Sequence, residues 1–283
     1  MLTPSRELDV MMDAARRAGR GLMRRFRSRA GLRVELKGVA DFVTEADLES
    51  QRVLEGRLLR AFPRHGFVGE EGPHDRRETA GPSARFVVDP LDGTTNFLHG
   101  VPHFAVAVAL EREGQVVAGV VLDPAKDEMF VAERGRGAWL GRQRLRVAGD
   151  RDLSRALVAT GVPHANARRI HASYLAMLAP MMRESAGIRR FSGAALDLAY
   201  VAAGRFAVFF ELGLKRWDIA AGSLLVQEAG GRVTELDGGD DYLSSGDVLA
   251  TNGRLHPRTV AMLERASECS RPARLPARRQ TRA

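Results

Sequence analysis

The segment VVDPLDGTTNF, Val87 to Phe97, sets Asp89 and Asp92 three residues apart around Pro90, followed by Gly93, Thr94 and Thr95. An isolated Asp-Pro or Asp-Gly marks a turn and nothing more. The fuller pattern D-x-x-D-G-T arises by chance in roughly one chain in a few hundred of this length. Two carboxylates brought together repel one another unless a cation neutralises them. Pro90 stiffens the loop so that Asp89 and Asp92 can converge, and Gly93 permits a sharp turn that leaves main-chain groups available. The main-chain carbonyl of Leu91 is then a further oxygen donor.

Other acids could complete such a site: Asp47, Glu70, Glu71, Glu211 and Asp218. Each also has an ordinary structural explanation. Thr44-Glu45-Ala46-Asp47 fits a capping box, Asp218 before IAAGSLL fits a helix N-cap, Glu70-Glu71 fits a solvated turn, and Glu211 fits an exposed strand end. Taken jointly they point elsewhere, because Glu70, Asp89 and Asp218 fall at strand ends or at a helix start, where α/β sheets present their sites. Clustered carboxylates without cysteine favour a hard ion, Mg²⁺ first and Mn²⁺ next. His99 and His103 flank the motif, but neutral imidazole competes poorly for such an ion, so neither is read as a ligand.

The elements that must position these groups follow from periodicity. Leu8, Met11, Met12, Ala15, Ala18 and Leu22 lie at helical spacing behind a Thr3-Pro4 start signal, and residues 44–62 form a second amphipathic helix. FVGEEG reads as a strand running into an acidic turn. From Arg85 to about residue 133, strands alternate with short turns as an antiparallel meander. Beyond residue 150, strands and helices alternate, which predicts a more parallel α/β half behind an α+β half. The expected organisation is residues 1–148 as an α+β half with most of the acids, 149–268 as an α/β half completing the site, and 269–283 as a basic disordered tail. Trp139 is read as core packing.

The 283 residues, 45% hydrophobic and 28% charged, suffice for a sizeable core and read as globular. No apolar run approaches the ~20 residues that span a bilayer, so no membrane partner is expected. The arginine-rich N-terminus lacks the apolar stretch of a secretory signal. One cysteine, Cys269, excludes an intrachain disulfide and a thiolate zinc cluster, and cytoplasm is the default location. Much of the net charge of +8 sits in the terminal run RPARLPARRQTRA, which is read as a tail before it is read as a nucleic-acid contact.

GEEG at 69–72, DPLDGTTNF at 89–97 and WDIAAG at 217–222, with ADFVTEAD at 40–47 and GAALDLAYVAAGRFAVFFELG, resemble the motifs of the inositol monophosphatase family of Mg²⁺-dependent, lithium-sensitive phosphatases. The resemblance covers residues from about 5 to 267. It implies a layered αβαβα sandwich, usually a homodimer, with two or three Mg²⁺ per site. Glu70, Asp89 and the Leu91 carbonyl would hold one ion, and Asp89, Asp92 and Asp218 a second. Thr94, tied to Asp47, would orient the attacking water with Glu70 in the catalytic set, Gly93 and Thr94 amides would meet phosphate, and Glu71 would support the ligands. Substrate contacts would further include Arg189 and Glu211 beside Asp92 and Asp218. Lys37 would come from a loop that helps recruit metal.

Thr95-Asn96-Phe97 after Thr94 resembles inositol monophosphatases more than relatives that act on nucleotides or histidinol phosphate, which often carry lysine there. A small polyol phosphate, myo-inositol monophosphate foremost, is the expected substrate. One departure stands out: the family usually places glycine before serine or threonine in the substrate loop, whereas this chain reads Ser192-Gly193-Ala194. The alternatives are fructose-1,6-bisphosphatase, histidinol-phosphatase or 3′-phosphoadenosine phosphatase activity, and, in another class, a regulatory RNA- or transcription-associated binding protein.

Overall fold

The computed structural model describes residues 3–28, 34–38, 41–71, 84–162 and 168–270. The segment that follows residue 270, and with it most of the basic tail, lies outside the described residues. Helix α1 (Arg6–Arg27) starts two residues later than Thr3-Pro4 suggests, because Ser5 is the cap and its hydroxyl accepts the Leu8 amide proton at 3.2 Å. The short strands β1 (Val34–Gly38) and β2 (Asp41–Thr44) form an antiparallel pair, and Lys37 falls on β1, where its side chain is outside those described. Thr44 then caps α2 (Glu45–Ala61).

A seven-stranded sheet follows: β3 (Gly66–Gly69), β4 (Ala84–Asp92), β5 (Ala105–Arg112), β6 (Gln115–Asp123), β7 (Glu128–Glu133), β8 (Gly137–Leu140) and β9 (Gln143–Arg144), in chain order across the sheet. The meander is antiparallel throughout, with β3 joining β4 in parallel. Between β4 and β5 lies α3 (Thr94–His99), one short helix that periodicity is too local to announce.

The second half builds a five-stranded sheet from β10 (Leu157–Thr160), β11 (Gly187–Arg189), β12 (Val208–Glu211), β13 (Arg232–Thr234) and β14 (Val248–Thr251), in the order β11-β10-β12-β14-β13. Its helices are α4 (Arg168–Glu184), α5 (Ala194–Ala202), α6 (Arg216–Glu228), α7 (Tyr242–Ser245) and α8 (His256–Ser270). The expectation of a more parallel half holds for β10 with β11 and β12 only, since β14 runs antiparallel to both β12 and β13. β13 and β14 are consecutive in the chain and neighbours in the sheet, joined through the short helix α7, and they pair antiparallel.

Strand alternation sorts the core into layers. Phe86, Val88, Val106, Val108 and Leu110 face α1 and α2. Val87, Ala105, Ala107 and Ala109 face α5 and α6, which in turn meet Phe209, Val233 and Ala250 of the second sheet. The far face of that sheet, with Val158, Phe210 and Leu249, is covered by Tyr174, Met181 and Leu263 of α4 and α8. The order is αβαβα, as the resemblance implies. The small alanines matter here: a Cβ on Gly119 would lie 2.9 Å from the Ala221 carbonyl, so α6 can sit this close to the sheet only over a bare backbone. The middle core cluster is shared by both halves of the chain.

Candidate active site

Asp89 and Asp92 are three residues apart, which in a regular strand would turn them to opposite faces. The strand is not regular. Asp89 pairs with Ala107 and Asp92 with Ala105, so three steps on β4 meet two on β5. The bulge at Pro90-Leu91 absorbs one residue and returns both aspartates to the same phase. Two bonds fix the bulge: the Leu91 amide donates to Asp89 Oδ1 at 3.0 Å, and the Ser50 hydroxyl of α2 donates to the Pro90 carbonyl at 2.7 Å.

Asp47 does what the capping box predicts and more. Its Oδ2 accepts the Thr44 amide proton at 2.9 Å, while Thr44 Oγ1 accepts from Ala46 at 3.1 Å. Its other oxygen, Oδ1, lies 3.0 Å from the Thr94 hydroxyl, which is also 3.0 Å from the Leu91 carbonyl. Asp47 is therefore both cap and partner of the D-G-T loop. Burial raises its pKa to about 6 against the opposing hydrogen bonds from Thr44 and Thr94.

Glu70 follows β3, its amide donating to the Val88 carbonyl at 3.1 Å beside Asp89. Glu71 is buried, and its backbone is held by the Gln51 amide group, whose Oε1 accepts the Glu71 N–H at 2.9 Å. Asp218 is not the N-cap but the third residue of α6, reaching back so that Oδ2 accepts the Lys215 amide proton at 2.7 Å. Asp92 Oδ2 accepts the Ala195 amide proton at 2.9 Å, at the start of α5.

The electrostatics show that these acids share one site. Asp89 is 2% exposed, and burial, then the charges of Glu70, Asp92 and Asp218, hold its pKa well above the carboxylate range. Asp92 and Asp218 are each pushed to about 7, by burial first. Burial followed by the charges of Asp218 and Asp92 lifts Glu211 to about 8. Yet Asp92, Glu211 and Asp218 keep part of their surface open, as groups lining a concavity do.

Carboxylates that resist ionisation because of desolvation and one another are what a divalent cation would relieve, and the donors are all oxygen. Among the described residues no three acidic or imidazole side chains already stand arranged as a metal shell. The hydrogen bonds from Leu91, Ala195 and Lys215 anchor one oxygen each of Asp89, Asp92 and Asp218. The donor set fits Mg²⁺.

The other candidates are placed as follows. Glu211 ends β12 with its carboxylate packed against the bare backbone of Gly161. Ser192 and Gly193 precede α5, with Ala194 its first residue. Arg189 ends β11, exposed, and its Nη1 donates to the Ile188 carbonyl at 3.0 Å. The guanidinium whose charge favours ionised Glu211 and Asp197 is instead that of the adjacent Arg190. Sequence reasoning missed Arg190, and it also missed Asp197, a buried α5 residue whose two carboxylate oxygens have no hydrogen-bond partner. A charged residue in the otherwise apolar AALDLAY was the available signal. His103 is buried, with a pKa lowered to about 4 by that burial, while His99 is exposed. Trp139 packs partly against the first core layer, as expected.

Helix layers alternating with two sheets, and a buried oxygen-rich acid cluster at their junction, define a sandwich-type phosphatase. Comparison with known proteins is specific. Residues 4–268 match the model of the inositol monophosphatase family. The inositol-1-monophosphatase of Rhizobium meliloti is 48% identical over 258 residues, covering 91% of this chain and 96% of that protein. The Nus factor SuhB of Pseudomonas aeruginosa is 45% identical over 246 residues, 87% of this chain and 91% of that one. Among solved structures, the extragenic suppressor protein suhB from Bartonella henselae matches with a TM-score of 0.88 at 46% identity, covering 92% of this chain and 99% of that one. The chain belongs to the inositol monophosphatase family and is a phosphoric monoester hydrolase. No helix among the described residues is long and apolar enough to cross a membrane.

Proposed function

We propose that the chain hydrolyses a small polyol phosphate, myo-inositol monophosphate foremost, by attack of water in a Mg²⁺-dependent reaction. The observation that carries this reading is the position of the Thr94 hydroxyl, 3.0 Å from both Asp47 Oδ1 and the Leu91 carbonyl, beside the buried Asp89. A hydroxyl has one proton to give, and the ionised Asp47 carboxylate is the stronger acceptor. The lone pairs of Thr94 Oγ1 are then left to accept a proton from a water. Asp47 receives charge from that side and is kept in place by Thr44.

Glu70, Asp89, the Leu91 carbonyl, Asp92 and Asp218 would hold the Mg²⁺ ions. When bound, those ions supply charge neutralisation and a more acidic water for attack on a phosphate dianion. The chain supplies orientation. Gly93 and Thr94 open α3, whose first-turn amides have no intrahelical acceptor and suit phosphate oxygens. Glu211, assisted by the nearby Arg190 charge, is set to receive hydroxyl groups of the alcohol, and the Ser192–Ala194 turn borders the same space. The name of the Rhizobium relative supports the inositol substrate; the oxygen-only donors support Mg²⁺ over a softer ion. We assign a homodimer on the family resemblance.

The test is phosphate release from myo-inositol 1-phosphate, fructose 1,6-bisphosphate, histidinol phosphate and 3′-phosphoadenosine 5′-phosphate, each with Mg²⁺ and with EDTA. Mg²⁺-dependent release fastest on the inositol ester is expected. Another leading substrate would replace the polyol, and silence on all four would shift weight to the reading of a regulatory RNA- or transcription-associated binding protein; the Pseudomonas relative is named a Nus factor.

A further inference from the structure

Ser192 has φ 61°, the left-handed region that disfavours a side chain, and its buried Oγ has no hydrogen-bond partner. The hydroxyl gives nothing back for that backbone conformation. Gly193, the residue suited to it, instead has φ −163°, extended backbone that any residue adopts, and as N-cap of α5 it has no side chain to offer. Such a conformation persists only where the surroundings impose it.

The surroundings here are residues of the D-G-T-T-N-F loop. Asn96 Nδ2 donates to the Phe191 carbonyl at 2.6 Å and to the His103 carbonyl at 2.9 Å, using both of its protons, with the Ser192 carbonyl a longer third contact at 3.4 Å. Gly93 makes room for this: a Cβ there would lie 3.1 Å from the His103 carbonyl and 3.2 Å from that of Ser192. On the far side of the turn, Asp92 takes the Ala195 amide proton. One side-chain amide thus ties a turn of the second half to the loop of the first, across 95 residues of sequence.

We propose that Asn96 is a positioning residue that locks the Phe191–Gly193 turn in its left-handed form and through it sets the affinity for the alcohol part of the substrate. The functional half of this inference rests on the reading that the turn borders the substrate. The side-chain amide of Asn96 is committed to main-chain carbonyls and not to the carboxylates of the cluster.

The test uses the full-length protein with Asn96→Ala and Asn96→Leu, the second preserving bulk without donors. With myo-inositol 1-phosphate and saturating Mg²⁺, KM should rise about tenfold while kcat stays within about threefold, since affinity and not the chemical step is affected. Amide exchange over residues 191–196 should accelerate by about tenfold or more as the turn is released. Ser192→Gly, which removes the left-handed strain, should recover about half or more of the KM change when added to Asn96→Ala, because the two substitutions act on one element.

Unchanged exchange in both Asn96 variants would overturn the clamp, even if the wild type hydrolysed none of the substrates offered. Faster exchange with unchanged KM, in a wild type that does turn over, would overturn the link to affinity. A collapse of thermal midpoint with kcat falling as much as KM rises, and no recovery by Ser192→Gly, would show a folding role and also overturn the proposal.

Discussion

Asp92 Oδ2 accepts the Ala195 amide proton at 2.9 Å, so a residue proposed to bind metal is also the cap of α5, whose own N-cap Gly193 has no side chain. The helix dipole favours negative charge at this point, while the neighbouring acids oppose it. Asp92→Asn keeps an acceptor oxygen for Ala195 and removes one of the repelling charges. Its thermal midpoint without Mg²⁺ should therefore match or exceed that of the wild type. The stabilisation that Mg²⁺ confers on the wild type should shrink, with phosphate release falling by about a hundredfold or more. Calorimetry with and without Mg²⁺, beside turnover, checks both.

Thr94→Val is nearly isosteric and removes the hydroxyl between Asp47 and Leu91. Asp47 keeps its bond from the Thr44 amide, so the α2 cap survives. We expect kcat to fall by about two orders of magnitude. The stability loss should stay near 1 kcal/mol, the scale of one hydrogen bond. A pre-steady-state comparison and a urea titration separate the two effects.

Glu111 is 2% exposed and receives Arg85 Nε at 2.8 Å and Arg216 Nε at 2.5 Å. Arg216 lies two residues before Asp218 on α6, so this pair of ion bonds joins the first sheet to the helix that bears an acid of the site. Glu111→Ala leaves two guanidinium groups facing one another across a gap. They are partly exposed, which reduces the penalty, and a loss of about 2–3 kcal/mol is expected. A chemical denaturation curve would measure it, and phosphate release should weaken as Asp218 loses its bearing.

His256, 1% exposed, lies between Thr251 Oγ1 and Thr234 Oγ1, each 3.0 Å from a ring nitrogen. Thr234 donates its proton to the Glu235 carbonyl, so Nε2 must donate to Thr234 and Nδ1 must accept from Thr251. The neutral ring is therefore the form that fits, and burial lowers its pKa from 6.5 to about 4. The unfolded chain binds this proton first, so stability is lost as pH falls from about 6.5 to about 4, and nothing is lost above that window. The loss approaches about 3 kcal/mol at the acid end. The difference between wild type and His256→Gln in denaturation midpoint across pH 7 to 4 should show this slope.

The acidic motifs, their order and the layered architecture were legible in the chain because they depend on local chemistry. Pro90 and Gly93 are needed wherever Asp89 and Asp92 must converge, and alternation in β4 to β7 announces a meander whatever packs upon it. The second sheet was legible only in part. Strand direction depends on which strands become neighbours, and periodicity carries no record of that, so β14 was not foreseen as antiparallel. The influence of the Arg190 charge on Glu211 escaped for a related reason, since β11 and β12 come together only through their shared pairing with β10.

By itself the order of residues determined the chemistry on offer, carboxylate oxygen from Glu70, Asp89, Asp92 and Asp218, because side-chain chemistry belongs to each residue wherever it stands. Distance and environment were decided by folding. The bulge that puts Asp89 and Asp92 in phase, the meeting of Asp92 with Ala195 and of Asn96 with Phe191, and the burial that raises the pKa of Asp89, Asp92, Glu211 and Asp218 all arise between segments far apart in the chain. Their energies depend on separation in space and on exclusion of water, two quantities that exist only once the sheets have closed over the helices between them.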